Sequence, residues 1–172
     1  MTQKALKSIK PKEIKIAVFD IETYKWINPY AVGFYDGKDY YQFTGKTCIS
    51  DFLRFIIRHK YRSYTIFAHN GGMFDFNFIL EILKKWKYDI NMIFQGSRCL
   101  QIKVYQEKQG KLTNRESWNS IKFSDSYALL GFSLDKLTKD FNVEHKKLNF
   151  MNETKIKNDY EYLYQLYKQK DK

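Results

Sequence analysis

The chain has 172 residues, 44% of them apolar, enough for one folded unit with a sizeable core and too many for wholesale disorder. Its 30 Lys and Arg against 19 Asp and Glu give a net charge of +11, and 18% of the residues are aromatic, including 14 Tyr and 14 Phe. No apolar run approaches the ~20 residues that cross a bilayer, Met1 to Lys12 is Lys-rich without the apolar segment of a secretory signal, and two cysteines, Cys48 and Cys99, are too few for a disulfide framework or a four-ligand zinc site.

Residues 1–13 are polar and basic and read as a flexible lead-in marked near its end by Pro11. Ile14 to Asp20 is a mostly apolar run with β-branched residues and reads as a buried strand. Tyr30 to Tyr35 and Asp39 to Phe43 read as two more strands, joined into a hairpin by Asp36-Gly37. Residues 47–60 place Cys48, Phe52, Phe55 and Ile56 at helical spacing, with Thr47 or Ser50 as the cap. Tyr64 to Ala68 is a further strand, and His69-Asn70-Gly71-Gly72 a turn. Phe74 to Trp86 reads as a helix with an apolar face at Phe74, Phe78, Ile82 and Trp86. Ile90 to Phe94 and Leu100 to Tyr105 read as paired strands, Gln106 to Glu116 as a loop, and Trp118 to Ser124 as a strand. Leu134 to Phe141 and Asp159 to Gln169 complete the set as helices. A three-stranded meander, a helix and then a parallel strand is the ribonuclease-H-like order of an α/β fold, a mixed central sheet flanked by helices.

The charge argues for a polyanionic partner, and the aromatics could stack on unpaired bases. A genome rich in A and T encodes the same excess of Lys, Tyr, Phe, Asn and Ile, so composition alone leaves nucleic-acid binding open. No basic amphipathic helix speaks for a membrane surface. The histidines, His59, His69 and His145, are scattered without metal-ligand spacing.

The carboxylates are more specific. Asp20-Ile21-Glu22-Thr23 closes the first strand, and residues two apart on an extended segment share a side. Two carboxylates so close repel unless a cation lies between them, and hard cations such as Mg²⁺ take oxygen ligands. Two solvated acids in a turn are the bland alternative. Asp75 falls in the first turn of a helix after a strand and a Gly-containing turn, where a negative charge also suits the helix dipole. Asn70 in that turn is equally consistent with a turn or cap residue. Strands that deliver acids to one carboxyl edge can build a single site.

At these two places the sequence resembles a family. Asp20-Ile21-Glu22-Thr23 and His69-Asn70-Gly71-Gly72-Met73-Phe74-Asp75-Phe76 are similar to the first two exonuclease motifs of family B DNA polymerases, closest to the protein-primed branch of viruses and linear organellar plasmids. Asp125-Ser126-Tyr127-Ala128-Leu129-Leu130 resembles the segment of that family that holds a single-stranded 3' end, with Tyr127 where Leu is usual. Lys146-Lys147-Leu148-Asn149-Phe150 resembles its lysine segment, with Lys147 fitting best. The match spans about Ile14 to Phe150.

The resemblance implies a 3'-5' exonuclease region spanning residues 14–172, with Mg²⁺ or Mn²⁺ as cofactor, two ions in the complete site. It assigns Asp20, Glu22 and Asp75 to the metals, Asn70, Phe74, Ser126 and Tyr127 to the DNA strand, and Lys147 to a phosphate. The fourth acid belongs to a Tyr-x-x-x-Asp motif. Asp159 has Lys155 where that Tyr should be, whereas Tyr167 and Asp171 keep the spacing at the very end of the chain. By this resemblance the chain stops just short of the true motif and carries no polymerase palm. The implied partners are a single-stranded DNA 3' end, a polymerase domain and a terminal-protein primer, not a membrane. The implied location is inside a cell, in a mitochondrion, a plasmid-bearing cytoplasm or a virus-infected cell. A relic that binds without cutting, a stand-alone ribonuclease-H-like nuclease and a basic interaction domain with incidental acids remain as alternatives.

Overall fold

The computed structural model describes residues 15–105 and 120–143. The basic lead-in, the loop read over Gln106 to Glu116, the helix read over Asp159 to Gln169, and Lys147, Asp159 and Asp171 lie outside the described residues.

Three strands, β1 (Lys15–Tyr24), β2 (Asn28–Tyr35) and β3 (Tyr40–Thr44), form an antiparallel meander. Helix α1 (Cys48–Ile56) returns the chain to β4 (Tyr64–Ala68), which pairs parallel with β1. Helix α2 (Asp75–Lys85) leads to a hairpin of β5 (Asp89–Gln95) and β6 (Arg98–Tyr105). Strand β7 (Ser120–Asp125) inserts between β6 and β4, antiparallel to the first and parallel to the second. Two short helices follow, α3 (Ser126–Leu130) and α4 (Leu134–Asp140). The single sheet has the order β3-β2-β1-β4-β7-β6-β5. This is the mixed sheet of the ribonuclease-H-like fold, with β1, β4 and β7 running in the same direction.

The core lies on one face of the sheet. Along β1 the residues Ala17, Phe19 and Ile21 are buried while Ile16, Val18, Asp20 and Glu22 point the other way and are exposed. Phe19 stacks on Phe52 of α1 at 5.2 Å and on Phe76 of α2 at 6.5 Å, and meets Phe123 of β7 edge-on at 5.7 Å. One ring thus ties both helices to the centre of the sheet, and truncating such a residue costs about 3–5 kcal/mol.

Four elements differ from the pattern reading. Strand β1 does not stop at Asp20; its pairing with β2 carries it to Tyr24 because β2 offers partners as far as Asn28. Helix α2 buries Phe76, Ile79 and Leu83, while Phe78, Ile82 and Trp86 of the expected stripe are half-buried at the flank. Helix α1 ends at Ile56, and a 3-10 turn over His59–Tyr61 follows. That turn drops Tyr61 into the core, where its hydroxyl donates to the buried Asp36 carboxylate at 3.1 Å. Helix α3 was not legible as a helix.

Candidate functional site

Parallel strands place their carboxyl ends on one edge, and here three of them deliver acids to it. Strand β4 pairs with β1 as far as Val18 opposite Phe67, and with β7 as far as Ala68 opposite Asp125. Strand β1 therefore runs on past the end of β4. The Ile21 N–H, beyond the last β4 pair, is a donor that must find a partner. It donates to Asp75 Oδ1 at 3.2 Å. A shift of register between Glu22 and Thr23 bends β1 just beyond. The side chain of Asp75 is thereby docked on the residue between Asp20 and Glu22.

The turn between β4 and α2 makes this docking possible. Asn70 adopts φ 64°, a left-handed conformation that Asn tolerates better than most residues, and Gly71–Met73 forms a 3-10 turn. A β-carbon on Gly72 would collide with the Cys99 carbonyl and lie 2.9 Å from Asp125 Oδ2, while one on Gly71 would sit 2.9 Å from the Phe76 ring. The paired glycines let the backbone pass between β6 and α2, so Phe74 and Asp75 emerge over the end of β1.

Asp75 is 3% exposed. Burial pushes its carboxyl up and the Asp20 charge adds to this; its own backbone N–H and the Ile21 N–H give back part of the rise, and Asp125 adds a smaller one, so its pKa lies at about 7. Asp125 is also buried but is differently served. Its Oδ2 accepts from Arg98 at 2.6 Å and from the Gly72 N–H at 3.3 Å, and its Oδ1 caps α3 by accepting from the Tyr127 N–H at 2.9 Å. The same Arg98 nitrogen donates to Asn70 Oδ1 at 2.9 Å, and its guanidinium lies 4.8 Å from the centre of the Tyr127 ring. His69 Nδ1 and Ser126 Oγ are 3.1 Å apart, and the His69 ring meets Tyr127 edge-on at 5.7 Å. On the β1 side, Phe74 meets Trp26 edge-on at 5.7 Å and Phe78 at 5.3 Å.

The structure thus gathers Asp20, Glu22, Asn70, Phe74, Asp75, Ser126 and Tyr127 along one sheet edge. Sequence reasoning missed Arg98, the guanidinium that links Asn70, Asp125 and Tyr127, and it passed over Asp125 itself in favour of its neighbour Ser126. Local signals could not have found that pair, because the two side chains come from strands 27 residues apart in sequence. Among the described residues, no three or more of the His, Cys, Asp and Glu side chains stand close enough together to hold a metal ion as placed. The donor chemistry nonetheless fits a hard divalent cation: a buried carboxylate beside a second one is relieved by positive charge, and every candidate ligand is oxygen.

The profile of the family described as DNA polymerase type B, organellar and viral, matches residues 56–172. The chain belongs to that family. It is 31% identical over 147 residues to the DNA-directed DNA polymerase of Enterobacteria phage PRD1, covering 83% of this chain and 23% of that protein. It is 29% identical over 143 residues to a probable DNA polymerase of Ascobolus immersus, covering 78% of this chain and 12% of that protein. The chain therefore spans less than a quarter of the length of these type B polymerases. Its fold is that of phi29 DNA polymerase in complex with single-stranded DNA, with a TM-score of 0.64 and 19% identity over 80% of this chain and 25% of that one. A phi29 polymerase complex with primer-template DNA superposes with a TM-score of 0.63. No helix among the described residues is long and apolar enough to cross a membrane.

Proposed function

We propose that this region is the 3'-5' proofreading exonuclease part of a protein-primed type B DNA polymerase, hydrolysing the 3' end of single-stranded DNA with Mg²⁺ or Mn²⁺. The observation that carries the reading is the docking of the buried Asp75 carboxylate on the Ile21 amide, between Asp20 and Glu22 at the sheet's carboxyl edge. Asp20, Glu22 and Asp75 would hold the cations, which when bound activate water and neutralise the attacking and leaving oxygens. The rest falls to the chain. Asp75 gives up its proton near pH 7, so cation affinity rises as pH climbs through neutrality. The Arg98 hydrogen bond fixes the Asn70 amide, leaving that amide's N–H₂ end to meet the strand. Phe74 supplies a stacking surface, and Ser126 and Tyr127 line the opposite side. Lys147 would meet a phosphate, and Asp171 or Asp159 would add the fourth acid. The remaining basic side chains give salt-dependent, sequence-neutral affinity.

The test is digestion of a 5'-labelled single-stranded oligonucleotide by the wild-type chain and by Asp20→Ala. Metal-dependent shortening from the 3' end that Asp20→Ala abolishes, with DNA binding retained, is the expected result. Salt-sensitive binding without any shortening under Mg²⁺ or Mn²⁺ would instead favour a domain that holds DNA and does not cut it. Absent or salt-independent binding would refute both.

A further inference from the structure

Trp26 is 79% exposed, more than any other large apolar side chain among the described residues. It sits on the turn from β1 to β2, where Lys25 has φ 53° and Trp26 has φ 64°. The Ile27 N–H donates across this turn to the Tyr24 carbonyl at 3.4 Å. Positive φ at both central residues is the mark of a type I′ hairpin turn, which Asn-Gly fills at least cost. Lys and Trp each carry a β-carbon into a left-handed conformation where glycine would be unstrained. Folding by itself therefore favours neither the exposed indole nor its backbone geometry.

The indole is not idle on the surface. It lies four residues beyond Glu22 and meets Phe74, the neighbour of Asp75, at 5.7 Å with the ring planes 81° apart. Phe78 braces Phe74 from α2 at 5.3 Å. Two rings at right angles make a corner in which a flat heterocycle can stack on one and turn its edge to the other, the arrangement aromatic quadrupoles prefer. Exposed Lys25, beside the corner, supplies a counter-charge for a phosphate on a chain of net charge +11.

We propose that Trp26 is a stacking platform for an unpaired base of the strand whose 3' end lies at Asp20 and Asp75. It forms with Phe74 a corner that holds the strand without reading its sequence. This rests on the nuclease reading above. Stacking accepts any base, as a site that trims arbitrary 3' ends requires.

The experiment compares the wild-type chain with Trp26→Gly and Trp26→Phe, by anisotropy of a short labelled oligothymidylate in chelator and by thermal melting. Glycine removes the ring and relaxes the turn, so binding and folding should move in opposite directions. Trp26→Gly should bind roughly 5- to 150-fold more weakly, the ~1–3 kcal/mol of one base–aromatic stack, while melting at or above the wild-type temperature. Trp26→Phe should keep most of the affinity. The wild-type protein should lose a similar factor on a strand with abasic 3'-terminal sites, and Trp26→Gly should lose little more on that strand. Unchanged binding by Trp26→Gly, equal losses by both proteins on the abasic strand, or a lowered melting temperature that marks the indole as a packing element would each overturn the proposal. Each of those results leaves cutting and binding by the wild-type chain intact, whereas a wild-type chain that binds no single strand refutes the nuclease reading and this inference together.

Discussion

Replacing Asp75 by Asn isolates what its carboxylate charge does to the fold. The amide keeps an oxygen for the Ile21 N–H, now accepted by Asp75 Oδ1 at 3.2 Å, and it keeps the side-chain volume. Only the ionisable charge goes. Burial first, and then the charge of Asp20, raise the Asp75 pKa from 3.8 to about 7 in the folded protein. A raised folded-state pKa means that the folded state holds its proton after the unfolded chain has released it. Stability is then complete below about pH 4 and is lost as pH rises toward 7, after which it levels off. The loss amounts to about 4 kcal/mol at ~1.36 kcal/mol for each unit of difference, or roughly 10 °C in melting temperature for a chain of this size. Melting curves in chelator should therefore coincide for the two proteins near pH 4 and diverge with rising pH, with Asp75→Asn the more stable near pH 8. Excess Mn²⁺ or Mg²⁺ near pH 8 should raise the wild-type melting temperature by mass action, about 2.7 kcal/mol at a hundredfold excess over Kd, and leave Asp75→Asn unmoved. Parallel pH curves in chelator would refute the argument from burial and like charge. Equal cation stabilisation of both proteins would remove Asp75 from any metal site.

Two further outcomes follow from buried charges. Arg98→Ala leaves the buried Asp125 carboxylate without the guanidinium at 2.6 Å, and losing one member of a buried pair costs about 3–5 kcal/mol, readable as a lowered urea midpoint with unchanged m-value. Asp36 has the opposite sign to Asp75. Burial alone would raise its carboxyl, but the Asp39 N–H, Lys60, the Lys38 N–H and Tyr61 together outweigh burial and bring it to about 2. Its stabilisation is present above about pH 4 and lost as pH falls toward 2, so Asp36→Ala should cost about 2–3 kcal/mol at neutral pH and flatten the acid limb of a pH–stability curve.

Much of the fold was legible because its strands are short apolar runs bounded by turn residues. Strand β4 is Tyr64–Ala68, as its β-branched and aromatic run suggests, and Asp36-Gly37 does turn the chain between β2 and β3. The boundary of β1 was not legible, because Asp20 and Glu22 interrupt the apolar alternation although the backbone goes on pairing with β2. The buried face of α2 was ambiguous for a physical reason. Phe-Asp-Phe-Asn-Phe-Ile-Leu-Glu-Ile-Leu carries two apolar stripes, and only the stacking of Phe76 on Phe19 decides between them. Asp20, Glu22 and Asp75 of the candidate site were visible as a pattern. The Trp26–Phe74 contact and the links of Arg98 to Asn70 and Asp125 were not, since they join residues that only the completed sheet brings together.

The two buried aspartates at this edge are compensated in different ways. Asp125 is the last residue of β7, Asp75 follows the end of its parallel neighbour β4, and both are almost wholly removed from water. Burying a carboxylate is costly unless donors or opposite charge compensate it. Around Asp125 the fold supplies a guanidinium and two backbone N–H groups, and spends Gly72, where no side chain fits, to bring one of those donors close. Around Asp75 it supplies the Ile21 N–H and then sets Asp20 beside it, which makes ionisation harder. The edge thus holds one carboxylate compensated by a guanidinium and backbone donors and another that burial and a like charge make hard to ionise. The first supports the turn that carries Asn70 and Phe74, and the second faces the strand end that carries Asp20 and Glu22.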